Sequence, residues 1–508
     1  MSAAAIPAGP VGAAVAEAAP ADLAHFRKRR GAELGLLLFA LVITAAAYAI
    51  IDASILGHIE QRSIAAVAIF TLLAIAAHIT VRLRAAYADP VLLPCVVFLN
   101  GLGLAIIHRL DLASAAAAAA SGASPPRMDA LLQLTWTTLA VIAFVAVLIF
   151  LRDHRLLQRV TYTAGLLGVI LLLLPLIPGL GVEILGARIW IRLGPLSFQP
   201  AEVAKVAMII FFAGYLVTKR DALALAGRRV LGLDLPRARD LAPLLLGWLI
   251  SLGVLVFERD LGTSLLFFGA FVVLLYVATQ RPGWLVLGTI LFALGTMFGY
   301  SAFGHVRIRF SAWLHPFADT DGSYQIIQSL YGLAYGGILG TGLGQGRPSL
   351  IPLAKSDFIA AGVGEELGVT GFMALIVVYA LVVERALRTS LLCRDPYGKL
   401  LAIGFGTVFA LQVFVVIGGV TKLIPLTGLT TPFMSQGGSS LLANWALVAL
   451  LLRVSHHARQ PRPAPSVPVS SETSETSSFA PIPGIEPPED RAQDYQAQDD
   501  QNTQAVPL

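Results

Sequence analysis

Long apolar runs restrict the folding of this chain more than any other feature of its sequence. A helix of about 20 mostly apolar residues crosses the hydrocarbon core of a bilayer, and the chain offers roughly twelve such runs. Hydrophobic residues make up 56% of its 508 residues and charged residues only 13%, which excludes an ordinary soluble domain. The sequence therefore predicts an all-α polytopic membrane protein. The predicted spans lie near residues 34–51, 64–81, 90–107, 132–151, 162–177, 201–217, 241–257, 263–279, 284–303, 368–387, 400–420 and 439–452.

Basic residues set the predicted orientation, because loops rich in Lys and Arg stay cytoplasmic. The cluster Arg27–Arg30 precedes the first run, and Lys or Arg residues follow each even-numbered run. Both termini are therefore predicted to be cytoplasmic. Residues 1–30 lack the basic start of a cleavable signal and are interpreted as a disordered tail before an uncleaved first helix. Residues 454–508 are rich in Pro, Ser, Thr and acidic residues and are predicted to be a second disordered tail.

Composition and spacing also narrow the function. The net charge of +5 comes from short clusters between apolar runs, so no nucleic-acid partner is predicted. Cys95 and Cys393 lie in different environments, which argues against a disulfide or a thiolate site. The glycine-rich segment 336–346 lacks the context of a nucleotide-binding loop. No metal site is predicted, because the histidines lack ligand spacing; those considered are His305, His315, His456 and His457.

The predicted orientation places four polar segments on the outer side of the membrane. They are "GARIWIRLGPLSFQPAEVAK", "FERDLGTS", the long loop of residues 304–364, and "LIPLTGLTTPFMSQGGSS". A loop of roughly sixty residues is uncommon and is usually functional or disordered. This one is rich in aromatic and aliphatic residues, so we expect it to be structured and to pack on the ends of the helices.

Several carboxylates in or beside these segments allow two interpretations. Glu202 and Lys205 share a helix face. They form either a pair that lines an interior cavity or a structural ion pair, and the sequence favours neither alternative. Asp357 is either a general base with a raised pKa or an N-cap, and its position alone favours the cap. Glu365 and Glu366 either oppose a helix dipole or contact substrate, and nothing local separates these alternatives.

Five segments in order resemble the signatures of the SEDS (shape, elongation, division and sporulation) proteins, the RodA and FtsW type of peptidoglycan glycosyltransferase. These are "GARIWIRLGPLSFQPAEVAK", "DLGTS", "GSYQIIQSLYGLAYGGILGTGLGQG", "SDFIAAGVGEELGVTG" and "PLTGLTTPFMSQGGSSLL". The resemblance spans residues 89–453 and implies a ten-helix, glycosyltransferase-C-like catalytic core. Residues 31–88 then form two additional N-terminal helices, which resemble those of actinobacterial RodA-like members.

The resemblance implies a polymerase of lipid II at the outer face of the cytoplasmic membrane. Asp357 in "SDFI" matches the family's catalytic aspartate. It would take the proton from a GlcNAc 4-hydroxyl, whose oxygen attacks the MurNAc anomeric carbon and releases undecaprenyl pyrophosphate. The substrate-binding residues so implied are Glu202, Lys205, Arg188, Trp190, Gln199, Asp260, Arg307, Arg309, Gln325, Lys355, Glu365, Glu366, Ser435 and Ser439.

The departing pyrophosphate needs cationic neighbours. Each candidate cation could instead contact anionic lipid head groups. No organic cofactor is expected, and Mg²⁺ stays open because no cage of oxygen ligands is visible. The candidate cations are Arg188, Arg192, Arg307, Arg309, Lys355 and Lys422.

Other functions stay open at this point. A lipid-precursor flippase or transporter is also a polytopic bundle with charges inside the membrane, and a non-enzymatic scaffold of the cell-wall machinery is a third alternative. The resemblance further implies a class B penicillin-binding transpeptidase as partner. It does not decide between roles in cell elongation and in division.

Overall fold

The structure is a computed structural model. It describes residues 30–124, 126–184, 187–193, 196–224, 228–230, 233–235, 249, 253, 256–258, 260–320 and 322–461. The predicted tail before residue 30, most of the predicted span 241–257 and the tail from residue 462 lie outside the described residues.

Fourteen helices are described, and they confirm the predicted all-α polytopic fold. Ten of them are long and apolar enough to cross a membrane, and Thr161–Leu176 forms a shorter apolar helix. The helices are α1 (Arg30–Ile55), α2 (Gln61–Arg84), α3 (Leu92–Ala120), α4 (Asp129–Phe150), α5 (Leu156–Arg159), α6 (Thr161–Leu173), α7 (Pro200–Ala224), α8 (Leu261–Thr279), α9 (Gly283–Ala302), α10 (Gly304–Leu314), α11 (Tyr324–Gly336), α12 (Ile359–Leu392), α13 (Pro396–Val420) and α14 (Gly438–Arg459).

Helix α3 is the most deeply buried span of the bundle. It packs against α1, α4 and α12, while α14 packs against α4 and α7. Helices α1 and α2, the predicted N-terminal addition, therefore cover α3 and α4 rather than standing apart. Because α3 is enclosed, its polar side chains Asn100, Arg109 and Asp111 are buried and need partners inside the protein.

A small antiparallel sheet follows α6, where sequence analysis predicted no strand. Strands β1 (Gly181–Ile184), β2 (Ala187–Leu193) and β3 (Leu196–Phe198) pair in sequence order, with Val182 opposite Trp190. A separate hairpin joins β4 (Arg228–Val230) and β5 (Leu233–Leu235). In "RIWIRL" the aliphatic residues recur at every second position, 189, 191 and 193, and Arg188 and Arg192 lie on the opposite face, which is typical of a half-buried strand. The first sheet delivers Trp190 and Gln199 to the start of α7.

Residues 304–364 are largely helical, since they contain α10, α11 and the beginning of α12. Helix α12 is broken at Gly368, which has φ 68° and ψ −171°. A Cβ there would lie 2.3 Å from the Gly340 backbone nitrogen, so the approach of the glycine-rich segment requires glycine. The break frees the backbone N–H groups of Val369 and Thr370 from the helix. They donate instead to the carbonyls of Gly337 and Ile338, respectively.

The last helix, α14, continues past Arg453 to Arg459, beyond the predicted start of the tail at residue 454. Arg459 donates to the buried carboxylate of Asp89, and Arg385 lies 3.8 Å from the same carboxylate. A buried ion pair of this kind holds the final turn of the helix in place. The polar composition of residues 454–459 therefore reflects partners inside the bundle.

Candidate active site

A cavity of about 550 Å³ opens where the ends of α7, α8, α10, α11 and α13 meet the segments before α12 and α14. Polar side chains from distant parts of the chain line it. They include Trp190, Gln199, Glu202, Asp260, Arg309, Trp313, Gln325, Ser356, Asp357, Lys422 and Gln436. The structure thus brings together seven of the predicted catalytic and substrate-binding residues and one further cation candidate, Lys422. The seven are Trp190, Gln199, Glu202, Asp260, Arg309, Gln325 and Asp357.

Asp357 faces this cavity from the turn that precedes α12. The helix has Phe358 at its N-cap position, without a side-chain hydrogen bond to the cap. The N-cap interpretation, which position alone favoured, is therefore wrong. The reason is geometric: the chain turns at residues 353–358, where the Phe358 N–H donates to the Leu353 carbonyl at 3.3 Å.

Burial controls the acidity of Asp357. It raises the pKa of the carboxyl to about 6, although a hydrogen bond from Ser356 and the charge of Arg309 lower it, and the charge of Asp260 raises it. A carboxylate with this pKa is mostly ionised at neutral pH and remains a much better proton acceptor than an ordinary aspartate. This arrangement suits a general base.

Arg309 is the cation whose charge acts on that base. Its Nη1 donates to the carbonyls of Leu426 at 3.2 Å and Thr427 at 2.5 Å. Gly428 follows with φ +80°, and a Cβ there would lie 3.4 Å from Arg309 Nη2 and 3.7 Å from Asp357 Oδ2. Burial lowers the pKa of Arg309, while Asp260 and Asp357 raise it. The guanidinium therefore balances two carboxylates in one cavity.

Asp260 lies on another wall of the cavity as the N-cap of α8. Its Oδ1 accepts from the Thr263 backbone N–H at 3.0 Å and its Oδ2 from the Thr263 hydroxyl at 2.6 Å. Gln199 Nε2 lies 3.5 Å from the same carboxylate. Burial raises the pKa of Asp260, opposed by the bonds from Thr263 and the charge of Arg309. Because both oxygens are occupied, Asp260 shapes the cavity more than it offers a free base.

The Glu202–Lys205 pair combines both predicted interpretations. Lys205 Nζ donates to Glu202 Oε2 at 2.8 Å and to Gln412 Oε1 at 3.0 Å, and both charged residues are buried. Glu202 lines the cavity, whereas Lys205 points to α13. Gln412 in turn donates to the Thr430 carbonyl at 2.9 Å. Sequence analysis missed Gln412, although a lone amide inside the apolar run 400–420 was a signal for it.

Lys355, Ser435 and Ser439, which were predicted to bind substrate, lie outside the lining of the cavity. Lys355 Nζ lies 2.6 Å from Asp111 Oδ1 and 2.7 Å from Asp129 Oδ2. The Ser435 hydroxyl donates to the Ser356 carbonyl at 2.5 Å, and Ser439 is buried at the start of α14. Burial lowers the pKa of Lys355, but the two carboxylates outweigh it and the net shift is upward. These contacts fix both sides of the Asp357 turn.

Glu365 and Glu366 also lie away from the cavity lining and hold the glycine-rich segment. The Arg347 backbone N–H donates to Glu365 Oε1 at 2.6 Å. Arg109 of α3 donates from Nε to Glu366 Oε1 and from Nη2 to the Gly346 carbonyl, each at 2.6 Å. Neither the helix-dipole nor the substrate interpretation describes these contacts. The sequence could not reveal them because Arg109 is supplied by a distant helix.

Three of the predicted cations lie at the surface. Arg188 and Arg192 are exposed on β2, and Arg307 is exposed on α10. Arg307 and Arg309 lie two residues apart on α10 and therefore on opposite faces of the helix, so of the two only Arg309 lines the cavity. Lys422 lines the cavity with a left-handed backbone, φ 60°, and its carbonyl accepts from Trp313 Nε1 at 3.1 Å. Arg309 and Lys422 are therefore the cations that the structure assigns to the cavity.

Comparison with known proteins decides the family. The model of a family described as "Cell cycle protein", which covers FtsW, RodA and SpoVE, matches residues 90–460. The chain belongs to this FtsW/RodA/SpoVE family. The matched region begins after α2.

Individual members of the FtsW/RodA/SpoVE family are similar over most of the chain. The peptidoglycan glycosyltransferase RodA of Mycobacterium tuberculosis is 50% identical over 456 residues, covering 88% of this chain and 95% of the relative. A probable peptidoglycan glycosyltransferase FtsW of Geobacter metallireducens is 35% identical and covers 62% and 82%. This family member is an enzyme of the peptidoglycan glycosyltransferase class.

Solved structures agree with this assignment. A chain of a peptidoglycan synthase complex, described as coordinating polymerization and crosslinking, matches with TM-score 0.58 and 28% identity, covering 74% of this chain and 99% of the other. The rod shape determining protein RodA of Thermus thermophilus matches with TM-score 0.51 and 26% identity, covering 74% and 98%. The protein is therefore a multi-pass membrane protein with the RodA fold.

Proposed function

We propose that this family member polymerises lipid II at the outer face of the cytoplasmic membrane, with Asp357 as the general base. The observation that carries the proposal is the buried Asp357 carboxylate in the polar cavity, with a pKa of about 6 and Arg309 beside it. A base with this pKa accepts a hydroxyl proton near neutral pH and contributes about 10²–10⁴-fold to the rate.

The proposed step balances one proton and one electron pair. Asp357 removes the proton of the GlcNAc 4-hydroxyl of one lipid-linked disaccharide, and that oxygen forms a bond to the MurNAc anomeric carbon of the growing chain. The bond from that carbon to the pyrophosphate oxygen breaks, and undecaprenyl pyrophosphate leaves with the electron pair. Arg309 and Lys422 are the lining cations that stabilise the negative charge as it develops.

The placement at the outer face rests on the distribution of basic residues. Helix α4 begins at Asp129, beside Lys355 and the Asp357 turn. Its far end precedes Arg152, Arg155 and Arg159, and such basic loops stay cytoplasmic. The cavity therefore lies at the end of the bundle that the positive-inside rule assigns to the outside. Labelling single cysteines at exposed Leu314 and Leu391 with a membrane-impermeant maleimide tests this placement, and we expect labelling in intact cells only at position 314.

Reconstituted polymerisation tests the reaction itself. Purified full-length protein with labelled lipid II and no other polymerase is expected to form glycan chains. Asp357→Asn is expected to lower the rate by at least about 10²-fold without changing expression or the elution profile. Glu183→Gln, which removes an exposed carboxylate outside the cavity lining, serves as the matched control. Glycan chains formed by Asp357→Asn at the normal rate would exclude Asp357 as the base.

The same variants distinguish the two rival functions. A flippase would move dye-labelled lipid across the membrane of liposomes, and neither the wild type nor Asp357→Asn would form polymer. A scaffold would let Asp357→Asn complement a deletion strain fully. We expect neither result. Greater identity to relatives named RodA than to those named FtsW supports a role in elongation, so depletion is expected to change cell width rather than to block septation.

The proposed partner is a class B penicillin-binding transpeptidase. The similarity to a chain of a peptidoglycan synthase complex supports this choice. An apolar groove between α12 and α13, lined by Ile376, Val383, Val413 and Phe414, is the surface on which we place the single transmembrane helix of the transpeptidase. Co-purification of the transpeptidase with the full-length chain tests the pairing, and failure to co-purify at native expression would count against it.

Mg²⁺ enters the proposal only as an ion carried by the pyrophosphate. Mg²⁺ commonly binds substrate phosphates together with one or two carboxylates, and the cavity offers the Glu202 carboxylate, whose bond with Lys205 uses only Oε2. Polymerisation is expected to slow in EDTA and to recover with added Mg²⁺. An unchanged rate in EDTA would remove the ion from the proposal.

A further inference from the structure

Three side chains with metal-binding atoms meet at the end of the bundle opposite the cavity. Helix α4 has 22 residues and spans about 30 Å at 1.5 Å per residue, so the turn after it lies far from Asp357. Asp153 and His154 belong to that turn, and His457 belongs to the last turns of α14. One ligand atom from each lies within 4.8 Å of the other two.

His154 supplies the observation that points to a ligand. Its side chain is completely buried, yet its Nδ1 makes no hydrogen bond within the described residues. Asp153 Oδ1, 3.4 Å away, is the nearest charged atom to it. A buried, unpaired ring nitrogen is costly, and its cost disappears if a bound ion accepts its lone pair.

The other nitrogen of His154 has a fixed role. His154 Nε2 lies 3.0 Å from Asp395 Oδ2, and that carboxylate also accepts the Gly398 N–H at 2.6 Å. Because a carboxylate accepts hydrogen bonds, the neutral ring carries its proton on Nε2 and its lone pair on Nδ1. A histidine that donates one ring N–H to a carboxylate and presents the other nitrogen as a ligand is the usual arrangement in metal sites.

His457 is held in the same manner. Its Nδ1 lies 3.0 Å from the Arg453 carbonyl, and a carbonyl can only accept, so Nδ1 is the donor and Nε2 keeps the lone pair. The two imidazole rings lie 5.3 Å apart and are nearly edge to face. Asp153 Oδ1 accepts the Arg155 N–H at 3.0 Å, which fixes the carboxylate in the turn. Both rings and the carboxylate are thus oriented by contacts that leave lone pairs for a shared ion.

We propose that Asp153, His154 and His457 form a Zn²⁺ site that joins the α4–α5 turn to the end of α14. Two imidazoles and one carboxylate are ligands that Zn²⁺ commonly uses, with bonds of about 2.0–2.2 Å and a water in the fourth position. Small ring rotations draw the three atoms together. Asp395, at the N-cap of α13, supports His154 from outside the site and links a third helix to it.

Metal content of the purified chain tests the site directly. Full-length protein carrying a tag without histidines is stripped with EDTA, reloaded with Zn²⁺ and desalted, and its zinc is measured by mass spectrometry. We expect about one tightly held Zn²⁺ per chain in the wild type, and at least about tenfold weaker binding in His457→Ala and Asp153→Ala. Substitution with Co²⁺ is expected to give the strong visible absorption of a tetrahedral site in the wild type alone.

Two further variants separate ligation from folding. Asp395→Asn keeps an N-cap residue but weakens the carboxylate on His154, and we expect about 10–100-fold weaker Zn²⁺ binding. His456→Ala removes the neighbouring ring, whose Nδ1 accepts the Tyr87 N–H, and is expected to leave zinc content unchanged. Zn²⁺ should raise the Tm of the wild type and of His456→Ala only. Equal zinc content in wild type and His457→Ala, or a wild type that retains no Zn²⁺ at micromolar concentration, would overturn the proposal.

Discussion

Arg309 and Asp357 both lie next to Gly428, where an added Cβ would lie 3.4 Å from the guanidinium Nη2 and 3.7 Å from the carboxylate Oδ2. Burial raises the pKa of Asp357 to about 6, and the charge of Arg309 lowers it from what burial alone would give. The arginine therefore extends the pH range in which the Asp357 carboxylate is ionised toward lower pH.

Arg309→Gln is expected to move the pH dependence of polymerisation upward. Without the guanidinium, the pKa of Asp357 rises above about 6, so a smaller fraction of the base is ionised at pH 6.5 while little changes at pH 8.5. The rate of glycan formation between pH 5 and 9 measures the shift. Arg309→Lys keeps the charge, and its acid limb is expected to stay near that of the wild type. If the pH–rate profiles of Arg309→Gln and the wild type had the same acid limb, the charge of Arg309 would not control the ionisation of Asp357.

Asp357→Asn is expected to stabilise the protein while it abolishes activity. The pKa is about 6 in the folded chain against a reference of 3.8, so stability falls as pH rises from about 4 to about 6, because folding disfavours the ionised form. Asparagine removes this cost, which is at most about 3 kcal/mol at pH 7.5. Thermal unfolding in detergent should show a higher Tm at pH 7.5 and a smaller gain at pH 4.5. A gain that does not depend on pH would point to another cause.

The Glu202–Lys205 pair separates structural from catalytic roles. Glu202→Gln or Lys205→Met alone leaves one charge buried without its partner and is expected to cost about 3–5 kcal/mol of folding free energy. The double variant is expected to recover most of this stability, because no isolated charge remains. Its polymerisation should stay low, since Glu202 lines the cavity. Recovery of both Tm and activity would make the pair purely structural.

Gly428→Ala tests the close approach at the base. The φ of +80° costs an L-residue roughly 1–2 kcal/mol, and a backbone shift that relieves this strain would move the wall of the cavity next to Arg309 and Asp357. We expect reduced stability and a rate at least about tenfold lower. Gly437→Ala is the matched control nearby, since its φ of 178° suits any residue and its Cβ would meet neighbours at 3.7 Å or more. Similar losses in both variants would argue against a special role for Gly428.

Lys355→Met is expected to lower kcat more than it raises KM. Lys355 ties the Asp357 turn to α3 and α4 through Asp111 and Asp129, so its loss loosens the position of the base rather than removing a substrate contact. A misplacement of about 1 Å can cost about 10²-fold in rate. Asp129→Asn, which leaves the Asp111 contact, should have a smaller effect. If Lys355→Met instead raised KM alone, the lysine would be a substrate ligand as the sequence suggested.

The sequence predicted the class of fold because apolar length and basic loops are local properties. A run of about 20 apolar residues must cross a bilayer whatever its neighbours do, and the described helices follow those runs. The family resemblance singled out Asp357 against the N-cap interpretation that position favoured. Predictions failed where a local pattern was ambiguous. No strand was predicted for "RIWIRL", and the tail was predicted to begin at residue 454, whereas α14 continues to Arg459.

Partners across the bundle were decided by the tertiary structure alone. Sequence could place Lys355, Glu365 and Glu366 near the catalytic turn, but their contacts with Asp111, Arg347 and Arg109 depend on how α3 and the outer loop pack. The histidine spacing rule likewise excluded a metal site, whereas His154 and His457 approach each other only because α4 packs along α14. Which buried charges meet is a property of helix packing, which hydropathy along the chain does not encode.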